Sequence, residues 1–132
     1  MEAVWKKPYQ NDIHEFLKVL AIKHRPALTK TLVAWLTREG GVTDNLPIAR
    51  NFAAYVLGTI GATDAANALA RTAQQDRGLD VRLYCVTSLA KLRSRRHLST
   101  LVRLYHDPDN REIEDTVAAA ICHIVGIARY AF

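Results

Sequence analysis

Residues 80–92, DVRLYCVTSLAKL, decide the fold, because the chain repeats their pattern on either side at an interval of about 32 residues. Upstream stands 48–60, IARNFAAYVLGTI, and downstream 112–124, EIEDTVAAAICHI. In this register Ala53, Cys85 and Val117 fall together, as do Leu57, Leu89 and Ile121, and then Ile60, Leu92 and Ile124. The spacing i, i+4, i+7 puts each set on one face of an α-helix. Phe52, Tyr84 and Thr116 form a further row. Ala54, Val86 and Ala118 match, and Val56, Ser88 and Ala120 make a small-residue row suited to close stacking. The segments between also match, Ala66 with Leu98, Leu69 with Leu101 and Arg71 with Arg103. A period in the thirties with two helices per unit is the sequence mark of an α-solenoid.

Working outward, the whole chain of 132 residues reads as one helical domain. It holds 19 Ala and 15 Leu but only six Gly and four Pro, which favours helix and disfavours a β-sandwich or barrel. Residues 1–10 read as a lead-in. Asn11 or Asp12 is placed to cap a first helix, with Glu15 closing a capping box and Ile13, Phe16, Leu17 and Leu20 as its apolar stripe. Pro26 ends that helix, and Leu28, Leu32, Trp35 and Leu36 share one face of the next, so 11–40 forms a divergent first hairpin. Gly41 to Leu46 reads as a loop. Pro47 opens a third helix that Gly61 ends, Thr63 or Asp64 caps a fourth, and Asp80 a fifth. The turn Arg93 to Arg96 leads to a sixth, and Asp107-Pro108-Asp109-Asn110 to a seventh. Repeats thus occupy 47–125, with a C-terminal end at 126–132.

Asp80-Val81-Arg82 followed by Leu89-Ala90-Lys91-Leu92, and Ala49-Arg50 followed by Leu57-Gly58-Thr59-Ile60-Gly61, resemble HEAT repeats. The nearest form is the short bacterial HEAT-like type first noted in phycobilisome lyases. The resemblance covers 47–125 well and 11–40 more weakly. It implies an all-α solenoid of stacked antiparallel hairpins, about seven helices in all. It also implies that an Asp at the unit start and an Arg two residues later tie neighbouring repeats. Asp80 and Arg82 match both positions, Arg50 matches the Arg, and Glu114 departs from it in the third copy.

The family's second helices commonly line a concave binding face. On that expectation Arg71 and Arg103, equivalent residues of the even helices, are candidate partner contacts. Lys91, Arg93, Arg95, Arg96 and His97 form the densest charge cluster, able to clamp a phosphate or an acidic peptide. The bland reading of the same cluster is a solvated turn whose cations complement a helix C-terminus. Asp76, Asp80, Asp107 and Asp109 at the opposite turns predict an acidic edge facing a basic one.

Catalytic chemistry finds no footing in the sequence. His14-Glu15 is a single HE pair, whereas the HEAT-type deoxyhypusine hydroxylases hold iron with several, so neither metal nor cofactor is expected. Cys122 and His123 diverge by about 100° on a helix and cannot act as nucleophile and base. Cys85 and Cys122 read as reduced thiols. The apolar run Thr116 to Ala128 is too short to span a bilayer. The segment MEAVWKKPYQ has no leader pattern, so a cytoplasmic location is expected.

A net charge of +5 suits an acidic partner without reaching the basicity of a dedicated nucleic-acid binder. The sequence therefore predicts a non-enzymatic adaptor or regulator that presents a concave helical surface to a protein with an acidic or amphipathic segment. Two alternatives stay open. One is a nucleic-acid-binding module using the basic edge, and the other, implied by the resemblance alone, is a lyase-like or chaperone-like factor for a cofactor-bearing protein. Ile121, Ile124, Val125, Ile127, Tyr130 and Phe132 leave the C-terminal end apolar, so it either folds back on the core or pairs two copies as a homodimer.

Overall fold

The computed structural model describes residues 2–37 and 47–127, and among them every regular element is helical. Six helices follow in order: α1 (Glu2–Thr37), α2 (Pro47–Thr59), α3 (Ala66–Gln75), α4 (Leu79–Lys91), α5 (Leu98–His106) and α6 (Glu114–Val125). Helix α1 is bent at His24 (φ −131°, ψ 25°), two residues before Pro26. Proline has no N–H to donate and its ring crowds the preceding turn, so the first limb breaks off there, as expected of Pro26, and a second limb follows directly. Its two limbs account for the expected seventh helix.

The start of α1 differs from expectation. The backbone is helical from Glu2, so residues 2–10 are no lead-in and neither Asn11 nor Asp12 begins a helix. A capping side chain contributes only about 1 kcal/mol, and it marks a start only where the preceding residues resist helix. Phe16, placed on the inward stripe by periodicity, is 61% exposed. In the second limb Leu32 and Leu36 are buried as the pattern requires, while Trp35 lies at the margin of that face, partly exposed. The loop expected over 41–46, the terminal Tyr130 and Phe132, and the side chains of Ile13 and Leu17 fall outside the described residues.

The turn chemistry carries the repeat more faithfully than the caps do. Helices α2, α4 and α6 are each followed by a residue with left-handed backbone: Gly61 (φ 69°), Arg93 (φ 50°) and Gly126 (φ 85°). At each end a reversed hydrogen bond closes the turn, Ala62 N to Leu57 O at 3.0 Å, Ser94 N to Leu89 O at 3.2 Å and Ile127 N to Cys122 O at 2.8 Å. Arg25 also donates to Gly61 O, setting a cation at the C-terminus of α2. Short 3₁₀ turns at Thr63–Ala65 and Arg95–His97 then lead into α3 and α5. No side chain caps the turn holding Thr63 and Asp64, contrary to the expected cap. Helix α4 starts at Leu79 after Gly78, so Asp80 sits exposed in the first turn and caps nothing.

Packing fixes which helices pair. Helix α3 lies against α4, α5 against α6 and α1 against α2. In the perpendicular direction α2, α4 and α6 stack closely, whereas α3 and α5 barely touch. A stack whose one layer is tight and whose other is splayed curves toward the tight layer. The repeating hairpin is therefore α3–α4, then α5–α6, and the inner, concave layer is α2, α4 and α6. Leu57, Leu69, Leu89, Leu101 and Ile124 fill the space between the layers, each essentially inaccessible to solvent. Burying such a side chain contributes about 1.5–3 kcal/mol. The small row Val56, Ser88 and Ala120 is buried as expected, and Ser88 Oγ donates to Ala54 O across the α2–α4 contact.

The tie between repeats is real but uses another acid. Arg50 Nε lies 2.8 Å from Asp76 Oδ2, with Nη2 3.3 Å from Oδ1, and the two side chains are only 4% and 5% exposed. Asp76 Oδ1 also accepts from Gly78 N at 2.8 Å, closing the turn between α3 and α4. Asp76 is therefore no part of an acidic edge. In the next repeat Asp107 makes the same turn with Asp109 N at 2.9 Å. Among the described residues Arg82 has no matching salt bridge; its Nε is buried without a hydrogen-bond partner. Asp107 ends α5 as Asp76 ends α3, yet among the described residues no salt bridge joins it to Arg82. Asp80 and Arg82 thus do not form the tie expected of them.

Candidate functional site

Large apolar side chains are exposed on α1 (Phe16, Val19 and Ile22), on α5 (Val102 and Tyr105) and on the face of α2, α4 and α6 turned away from the other layer. Phe52 on α2 and Tyr84 on α4 are 42% and 38% exposed. Tyr55 and Tyr84 meet edge to face, ring centroids 6.3 Å apart at 82°. The ammonium of Lys91 stands 4.5 Å over the Tyr55 ring, an attraction between a cation and the negative face of the ring. Partial burial lowers the Lys91 pKa from its ordinary value.

Between α4 and α6 the same face opens into a groove of about 500 Å³. Leu83, Thr87 and Ala90 form one wall, Thr116, Ala119 and Ala120 the other, with Lys91 and His123 at one end. The lining is mostly apolar and, among the described residues, holds no carboxylate. Among those residues no group of three or more His, Cys, Asp or Glu could hold a metal, and no helix is long and apolar enough to cross a membrane.

A family model of HEAT repeats matches residues 29–122, from the second limb of α1 into the last turns of α6. The chain belongs to the HEAT-repeat family. Proteins of this family typically act as interaction scaffolds that bind other proteins, and the family is generally non-enzymatic. No curated protein and no solved structure matches this HEAT-repeat chain.

The arginines singled out by sequence divide into three groups. Arg71 and Arg103 are exposed, but on α3 and α5, the splayed outer layer. Their expected place on the concave face is corrected, because the hairpin runs α3–α4 and makes them residues of its first helix. Arg71 lines an outer cleft of about 490 Å³ with Leu36, Thr72 and Gln75. Arg93 holds the left-handed turn after α4 and its Nη1 donates to His123 O at 3.3 Å, which complements the C-terminal end of α6. Arg95 and Arg96 are exposed beside Thr63 and Asp64, on the rim.

His97, the last member of the basic turn, is held by two bonds. Its Nε2 lies 2.9 Å from Asn67 Oδ1 and its Nδ1 2.7 Å from Ser94 Oγ. Asn67 Oδ1 only accepts, so Nε2 carries the proton and Nδ1 accepts from the serine hydroxyl. Burial first, then the charge of Arg96, lowers its pKa below 6.5. A group that binds its proton more weakly in the folded chain stabilises the fold above its unfolded pKa, and that contribution is lost as pH falls from 6.5 through the lowered value. An NMR titration of the ring proton, assigned with His97→Asn, should give a midpoint below 6.5; a midpoint at or above it would show the neutral tautomer is not the one held. Burial, then the charge of Asp76, raises the Cys85 thiol far above its usual range, which keeps it protonated and inert.

Sequence reasoning missed Tyr55, Lys91 as a ring partner, and the groove. The signal was present in the same repeat register, as a comparison of residues 55, 87 and 119: Tyr, Thr and Ala.

Proposed function

We propose that this chain is a protein-binding adaptor or regulator whose binding surface is the concave face of α2, α4 and α6, with Arg95 and Arg96 as a flanking basic edge for an acidic or amphipathic partner. The exposed aromatic pair Phe52 and Tyr84 carries the reading. Aromatic side chains are enriched at interfaces because they bury a large area while fixing only two torsions. On the rim, two exposed cations serve attraction and orientation more than affinity.

Affinity purification from the native host tests the face. Phe52→Glu with Tyr84→Glu should abolish recovery of the partner, because two charges would be buried without counterions. Arg71→Glu with Arg103→Glu should leave it within about twofold, since those residues stand on the outer layer. The opposite pattern would move the binding surface to the outer layer.

A further inference from the structure

The groove between α4 and α6 has a filled counterpart one repeat earlier. Between α2 and α4 the equivalent space holds the Tyr55 ring, with Tyr84 at its edge and Lys91 over its face. Advancing by one repeat replaces Tyr55 by Thr87, Tyr84 by Thr116 and Lys91 by His123. These three replacements line the open groove. The other wall positions advance likewise, Asn51 to Leu83, Gly58 to Ala90 and Ser88 to Ala120, so the second copy is more apolar as well as empty of a ring. Lys91 also lines this groove, and among the described lining residues no carboxylate offsets it.

We infer that the α4–α6 groove receives an aromatic side chain of a partner protein, seated as Tyr55 is seated in the preceding interval, with a neighbouring Asp or Glu of the partner on the Lys91 ammonium. The inference rests on the concave face being the binding surface and adds the chemistry of the bound segment. A Tyr, Phe or Trp ring suits a slot walled by Leu83, Ala119 and Ala120, and ring edges meet the hydroxyl and methyl groups of Thr87 and Thr116. An acidic neighbour follows from charge: the groove offers a cation at its end and no competing anion in its lining.

Two measurements on the full chain test this. The first is the variant Thr87→Tyr, which supplies the missing ring from within. Thr87 lends its hydroxyl to Leu83 O of its own helix, a carbonyl that the helix already engages, so its loss leaves no partner stranded. The melting temperature should rise by about 2–5 °C as the ring fills the groove. A fall would show that the groove does not accept an aromatic ring. The second is panning of a random peptide library against the wild type. Enriched peptides should carry an aromatic residue beside Asp or Glu and bind Thr87→Tyr at least about tenfold more weakly. They should lose roughly fivefold to tenfold with Lys91→Glu but little with Lys91→Arg. Peptides lost on Phe52→Glu with Tyr84→Glu but indifferent to Thr87→Tyr would overturn the groove assignment and leave the concave face standing. Peptides indifferent to both sets, or no enrichment at all, would overturn both.

Discussion

Asp76→Ala should cost the fold about 3–5 kcal/mol, the largest loss expected from any single polar substitution among the described residues. The carboxylate serves two partners at once. It meets Arg50 through Nε and Nη2, at 2.8 and 3.3 Å, and closes the α3–α4 turn through Gly78 N at 2.8 Å. Removing it takes the carboxylate away from a guanidinium whose side chain is only 4% exposed. Such a charge cannot neutralise itself by losing a proton, because arginine keeps its charge at any pH a protein survives. The turn loses its acceptor in addition.

The control separates the lost ion pair from the lost turn. Arg50→Met with Asp76→Asn removes both charges while Asn keeps an oxygen for Gly78 N, so urea denaturation should find it within about 1–2 kcal/mol of wild type. Asp76→Ala losing under about 1 kcal/mol would show that the pair behaves like a surface ion pair.

That pair also shows what sequence could and could not reveal. The fold class was readable from rows such as Leu57, Leu89 and Ile121, because helical spacing repeated at a fixed interval has few other solutions. The phase of the hairpin was not. Apolar residues recur on both helices of a unit, so periodicity alone does not say whether α3 pairs with α2 or with α4. Packing decides it, and with it whether Arg71 and Arg103 face inward. The acid that holds Arg50 was equally hidden, since Asp76 lies in a turn 26 residues away, where spacing rules within a helix have no reach. Candidate sites chosen by charge density went to the rim, where cations are most easily solvated. The groove is built instead from what is small, Thr87 and Ala119, at positions where an earlier repeat has a ring. An absence of bulk becomes a signal only after the register is known.

Gly58→Val should be the second severe substitution, and Gly58→Ala should already be harmful although alanine is the better helix former. In an exposed helix that replacement would gain about 1 kcal/mol. Here a Cβ on residue 58 would stand 2.8 Å from the α-carbon of Ser88 and 2.7 Å from its β-carbon, with the hydroxyl oxygen closer still. The nearest atoms include backbone of α4, so no rotamer change relieves the clash. Helices α2 and α4 must move apart, and the hydrogen bond from Ser88 to Ala54 O stretches with them. Overpacking of this kind costs about 1–3 kcal/mol for one added carbon, which exceeds the propensity gain, and valine adds two more. The same separation would disturb the seat of Tyr55 between the two helices, where Tyr84 and Lys91 hold it. Ser88→Gly introduced alongside Gly58→Ala takes away the serine side chain but leaves the backbone of α4 in the way, so it should recover only part of the loss. Urea denaturation of the two single variants and the double measures the coupling directly. Simple additivity, or a Gly58→Ala variant more stable than wild type, would mean that α2 and α4 are not held together at this point.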